Sequence, residues 1–230
     1  MTIDLNCDLG ELEDAAHEAA LMQHITSANI ACGGHAGDEA TMRRTVRMAL
    51  QRGVRIGAHP GYPDRANFGR VAMALSAGEI VATVREQIER LDRIAREEGA
   101  EIVHVKPHGA LYNVAARNAE TARAIGEAVL GWNAGAAVFG LAGSASLEIW
   151  HGMGLWVVAE GFADRRYESD GSLRARSYPD ALITDPAAAA AQALALARSG
   201  RAQTICVHGD TPGAPEILRA CREALARDFM

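Results

Sequence analysis

Five times along this chain a short apolar run ends in a cluster of histidine, lysine, aspartate or glycine, in segments 3–8, 28–35, 54–60, 102–112 and 204–210. One polar cluster behind an apolar run is an accident, but five on one chain describe a site. The runs are strand-like, with Ile102, Val103, His104 and Val105 preceding Lys106, Pro107, His108 and Gly109. Strands are predicted near residues 2–7, 27–32, 54–58, 101–106, 136–141, 155–159 and 203–207, short and apolar on both faces, as in a covered parallel sheet.

Helical segments alternate with them. Ser76 and Glu79 form a capping box ahead of the stripe Ile80, Val84, Ile88, Leu91 and Ala95, and Gly99 stops that helix. Asp38 caps a second helix that ends at Gly53, and Asn118 opens a third. Asp185-Pro186 starts a fourth that stops at Gly200, and the last covers about 214–227. Such alternation means α/β architecture, either a doubly wound open sheet or a barrel. Chemistry-capable residues end at least six of the seven strands, whereas an open sheet concentrates its site at one switch point. The reading is therefore a seven-stranded, TIM-like (β/α) barrel formed by residues 1–230 as a single domain.

Composition removes other classes. With 23 basic and 29 acidic residues and no basic stripe, general nucleic-acid binding is disfavoured. No apolar run is long enough to cross a bilayer and no signal peptide is expected, so the chain reads as cytoplasmic. Cys7, Cys32, Cys206 and Cys221 form no CxxC pair, and three lie inside apolar runs as small core residues. A homo-oligomer is compatible with the sequence.

Asp8, His35, His59, His108 and His208 converge on the C-terminal mouth of such a barrel, with Lys106, Asp210 and the segment 160–164 beside them. A lone histidine is usually structural, but four at four strand ends, each with Gly or Pro alongside, are not. His17, His24, His104 and His151 keep the structural reading. Two chemistries suit the set. In one, Asp8 and two of His35, His59 and His108 bind a divalent metal that polarises a carbonyl. In the other, Lys106 and a histidine stabilise an oxyanion while Asp8 or Asp210 manages protons for an attacking water. Both lead to hydrolysis at an amide-like centre. No GxxxxGK[ST] occurs, and Ser144 after Gly143 reads as a helix cap. Arg165-Arg166 is either a solvated pair or, through Arg166, a clamp for an anionic substrate.

The segments IDLNCDLGE (3–11), TSANIACGGHAGD (26–38), RIGAHPGYPD (55–64), NFGR (67–70), HVKPHGALYN (104–113), EGFADRRYESDG (160–171) and CVHGDTPGA (206–214) together resemble the LamB/YcsF family. The resemblance spans nearly the whole chain. It implies a seven-stranded barrel akin to the glycoside hydrolase/deacetylase superfamily, and the ATP-dependent opening of 5-oxo-L-proline (pyroglutamate) to L-glutamate. It also implies partners, the B and C subunits of a 5-oxoprolinase complex. A five-membered lactam is a stable amide, so activation of its oxygen by phosphorylation is expected to involve B and C, with this chain completing ring opening. By motif the family's polar positions carry over onto Asp8, His35, Asp38, His59, Lys106, His108, Asp164, Arg166, His208 and Asp210. Asp8 and His108 are then expected in proton transfer, Lys106 and His59 on an oxyanion or phosphate, and Arg166 on the substrate carboxylate. The other five are expected to line the substrate site.

The chain departs from the family pattern in three places. The loop after Glu11 is trimmed, residues 201–203 are all that remains of an insertion, and Gly34 replaces a bulkier residue before His35. Two other readings compete with the lactam hydrolase. One is a metal-dependent deacetylase or carbohydrate hydrolase on the same barrel, and the other is a non-catalytic ligand-binding subunit.

Overall fold

A computed structural model describes residues 3–229. Its strands are β1 (Asp4–Leu9), β2 (Ser27–Ala31), β3 (Arg55–His59), β4 (Ile102–Val105), β5 (Ala137–Leu141), β6 (Trp156–Phe162) and β7 (Thr204–Val207). They pair in parallel in chain order, and β7 returns to β1 to close the barrel. The helices are α1 (Ala15–Leu21), α2 (Glu39–Arg52), α3 (Ala77–Glu97), α4 (Gly109–Ala115), α5 (Ala119–Trp132), α6 (Ala145–Gly152), α7 (Pro186–Arg198) and α8 (Ala214–Phe229). None is long and apolar enough to cross a membrane.

Local chemistry sets the helix ends. Ser76 and Glu79 form the expected capping box of α3, in which each side chain satisfies the other residue's backbone N–H. Asp38, Asn118 and Asp185 accept from the backbone N–H three residues on and start α2, α5 and α7. Ser144 precedes α6, but its hydroxyl bonds to that of Ser146 and makes no cap.

The strands are not apolar on both faces. In β1, Leu5, Cys7 and Leu9 join the hydrophobic core. Asn6 and Asp8 alternate with them and turn into the barrel. Asn6 Nδ2 donates to Glu160 Oε1 at 3.0 Å, a bond between strands that are not neighbours and therefore one that crosses the interior. Asn29 Nδ2 donates to Asn6 Oδ1 and to Asp8 Oδ1, and the His104 ring bonds Asn29 Oδ1. A closed barrel hides its inner face behind its own opposite wall, so polar groups there survive by satisfying one another.

Candidate active site

Lys106 lies directly after β4, and its side chain is buried beside Asp8, Glu160 and Cys206. Its Nζ is 2.8 Å from Asp8 Oδ1, 3.1 Å from Glu160 Oε1 and 3.0 Å from Cys206 Sγ. Burial opposes the charge, but Asp8, Cys206 and Glu160 hold Lys106 well above its ordinary value, so it is an ammonium ion. Asp8 is held well below the usual carboxylate range against burial by His59 and Lys106. Tyr112 donates to Glu160 Oε2 at 2.7 Å and completes the shell.

Beside this centre His35, His59 and His108 gather round Glu11. Glu11 Oε1 is 2.9 Å from His35 Nε2, 3.2 Å from His108 Nδ1 and 3.6 Å from His59 Nε2. His35 and His108 stack in parallel with centroids 3.6 Å apart. Burial pushes His35 down to about 4 and lowers His108, with Glu11 opposing both. Burial acts on His59 in the same direction, but Asp8 raises that ring above its ordinary value. Gly69, at φ 62°, passes so close that a Cβ there would lie 2.8 Å from His35 Cβ and 3.0 Å from His108 Cδ2. Only glycine meets both demands. Gly34 has a partner too, because Gln87 fills the space where its Cβ would be and bonds both backbone groups of Gly61.

On the other side of the mouth, Asp164 accepts from the His208 and Thr211 side chains and from the His208 backbone. The Nδ1–H of His208 therefore faces a carboxylate, which leaves Nε2 as the acceptor nitrogen. These groups open on a cavity of about 450 Å³ whose lining includes Asp8, Glu11, His59, Lys106, His108 and His208. Arg70, Arg165 and Arg176 also border it. Arg176 is a bidentate partner of Asp210, at 3.2 Å on each side, and Arg70 pairs with the same carboxylate. Arg165 differs. Its guanidinium donates to the Arg174 carbonyl, and its Nε is buried with no partner. Burial, then Arg176, lower it to about 10, so it still carries a charge at neutral pH.

The structure brings Asp8, His35, His59, Lys106, His108 and His208 together at the mouth. Asp164 and Asp210 stand behind it, one orienting His208 and the other holding two arginines. Asp38 and Arg166 do not belong to the mouth. Asp38 is exposed and spends its carboxylate on the Thr41 N–H at the start of α2. Arg166 is exposed, and its neighbour Arg165 is the arginine that reaches the cavity. In extended chain, adjacent side chains point to opposite sides, so a one-residue difference reverses the assignment. The carboxylate among the three histidines is Glu11; Asp8 Oδ1 is committed to Lys106 and Asn29. Glu11, Tyr112 and Arg165 are site residues that the sequence pattern does not single out, whereas Glu160 opens the segment expected at the mouth. Glu11 carries one usable signal, its place directly after Gly10, whose φ of 72° turns the chain back toward the mouth.

The class that this geometry defines is a closed parallel (β/α) barrel with a buried polar centre at its C-terminal mouth, where barrels of this kind keep their chemistry. The chain belongs to the LamB/YcsF family, whose profile matches residues 3–229. It is 50% identical to the 5-oxoprolinase A subunit of Chloroflexus aggregans, over 98% of this chain and 95% of that one. It is 47% identical to the protein of the same name from Bordetella pertussis, over 98% and 96%. A crystal structure of the lactam utilization protein from Thermus thermophilus superposes with a TM-score of 0.90 at 42% identity, covering 99% of this chain and 97% of that one. The catalytic domain of a peptidoglycan N-acetylglucosamine deacetylase from Eubacterium rectale, at 10% identity and a TM-score of 0.55 over 100% and 86% of the two chains, shares the fold.

Proposed function

We propose that this chain is the A subunit of an ATP-dependent 5-oxoprolinase, opening 5-oxo-L-proline to L-glutamate together with B and C subunits. The names of its relatives support the substrate class. The observation that carries the reading is the pairing, in one cavity, of the buried Lys106 ammonium with Arg165, a buried cation that has a free donor. A 5-oxoproline molecule has one carboxylate and one amide carbonyl. Arg165 suits the carboxylate, because a guanidinium offers planar paired donors. Lys106 suits charge developing on the carbonyl oxygen, because Asp8 and Glu160 already hold it in place and nothing must reorganise. His208, oriented by Asp164, is placed to take a proton from an attacking water. The cavity has the volume of a drug-sized ligand site, more than a five-membered ring needs, which suits a lactam activated by a phosphoryl group. With no P-loop in the chain, activation by ATP falls to the assembled complex.

A second reading, a metal-dependent amide hydrolase working without ATP, is favoured by the grouping of Glu11 with three histidines. The deciding measurement is glutamate release from 5-oxoproline by the purified chain, with and without the B and C subunits and ATP. Release only with all three is expected. Release by the chain alone without ATP establishes the second reading.

A further inference from the structure

His59 and His108 face each other across a gap that calls for a proton or a cation. His59 Nδ1 is 2.7 Å from the Lys106 carbonyl oxygen, and His108 Nε2 is 2.9 Å from the Phe68 carbonyl oxygen. A carbonyl oxygen only accepts, so each of these nitrogens bears the ring's hydrogen. The two remaining nitrogens, His59 Nε2 and His108 Nδ1, are lone pairs in the neutral rings, yet they are 3.0 Å apart. Two lone pairs at that distance repel unless something electropositive lies between them. A single shared proton would serve two partners. Here four residues converge: Glu11, His35, His59 and His108 each offer a ligand atom, all within 4.8 Å of one another.

We propose that Glu11, His59 and His108 form a site for one divalent transition-metal cation, with the ligand preference of zinc, and that His35, whose ring is parallel to that of His108 and so cannot share an ion with it, holds Glu11 in place. Two imidazoles and a carboxylate, with the fourth position open, are a nitrogen–oxygen set that zinc and its neighbours favour. Bonds of ~2.0–2.1 Å in a tetrahedron put ligand atoms about 3.3–3.4 Å apart. The three separations among Glu11, His59 and His108, 3.0, 3.2 and 3.6 Å, bracket that value. The carbonyl oxygens of Lys106 and Phe68 are the outer partners that orient ligating histidines and fix their tautomers. Phe68 holds its carbonyl there from a left-handed backbone conformation, φ 54°, which a non-glycine residue adopts at a cost of about 1 kcal/mol or more. That cost is understandable if the tautomer of His108 matters. His35 Nε2 donates to Glu11 at 2.9 Å and is the carboxylate's outer partner, while its own Nδ1 is buried and unbonded. A bound cation would supply Lewis acidity next to the Lys106 centre. The site is independent of which amide the enzyme cleaves.

The test uses the full-length chain stripped with chelator, then titrated with Zn²⁺ or Co²⁺. Calorimetry and elemental analysis after gel filtration measure the stoichiometry, and the visible spectrum of the Co²⁺ form reports its coordination. One ion per chain with a tetrahedral-type cobalt spectrum is expected. Glu11→Gln and His108→Ala should each weaken binding by more than the roughly 10–100-fold that loss of an outer partner costs. His151→Ala, on the exposed side of α6, should bind as the parent does. Circular dichroism confirms that each variant is folded, and Glu11→Gln keeps the side-chain volume. No stoichiometric ion in the parent overturns the proposal, and so does binding that survives both cluster substitutions. Glutamate release by the complex is scored separately, so an absent metal would leave the 5-oxoprolinase reading standing, and the reverse also holds.

Discussion

The two ends of the barrel bury similar polar groups and use them in opposite ways. At the N-terminal end Asp4 is fully spent. Its Oδ1 accepts from Thr26, from Ser27 and from Arg55 at 2.6 Å, and its Oδ2 accepts from Thr204 at 2.6 Å. His104 nearby is committed to Asn29 and stacks on Phe139, over a floor where Gly57 leaves room for its ring. At the C-terminal end the same residue types leave valences open: the Arg165 Nε, the His35 Nδ1 and the facing lone pairs of His59 and His108. A buried polar group with every bond made stabilises and orients the fold, whereas one left open is available to a ligand.

Substitutions at the two ends of the barrel should separate these two uses. Lys106→Met should be the most damaging, because it leaves Asp8 and Glu160 facing each other without a cation. A loss of stability on the order of 3–5 kcal/mol is expected by chemical denaturation, with no glutamate release from any folded fraction. Asp8→Asn keeps the shape and changes the charge. The complex should assemble and fold normally, while turnover falls by roughly 10²–10⁴-fold, and parental turnover would remove Asp8 from the mechanism.

Arg165→Ala should raise KM for 5-oxoproline, corresponding to about 1.5–3 kcal/mol of lost binding. Arg166→Ala should leave KM unchanged. If the two variants exchange behaviour, the carboxylate sits outside the cavity described above.

The smallest effect belongs to the other end of the barrel. Burial opposes ionisation of Asp4, but Thr204, Thr26 and Arg55 hold its carboxyl below the ordinary value. Its folded pKa is thus lower than its unfolded one. The stabilisation is present above about pH 3.9, the ordinary carboxylate value, and is lost as pH falls below that toward the folded pKa. Asp4→Asn should cost about 1–2 kcal/mol at neutral pH, lose that difference in acid, and leave turnover unchanged. Denaturant midpoints measured across that range check it, and a midpoint difference that grows in acid would reverse the sign.

Much of the architecture is legible in the sequence because it depends on neighbours along the chain. Capping residues, helical stripes and the terminating glycines Gly53, Gly99 and Gly200 locate α2, α3 and α7, while the short α4 carries no such marks. Strand number and order follow from the alternation. The inner face of the strands is harder: the alternation of Asp4, Asn6 and Asp8 with Leu5, Cys7 and Leu9 is visible, but an inward polar face makes sense only once the barrel is closed. Asp38 resembles a site residue because it sits in a site-bearing motif, although its capping role, read from the same residue, uses up its carboxylate. Arg166 and Arg165 cannot be told apart from sequence, because the segment after β6 has no periodicity from which to take a phase.

From the sequence alone come the order of elements, the class of barrel and the end at which its chemistry gathers, since short-range propensity and hydrophobic period set all three. Closure and register decided the rest. They brought Glu11 from the β1 turn to His35, His59 and His108, set Lys106 between Asp8 and Glu160, and turned Arg165 inward. The Lys106–Asp8 contact alone joins residues 98 positions apart, and no local pattern carries the distance between them.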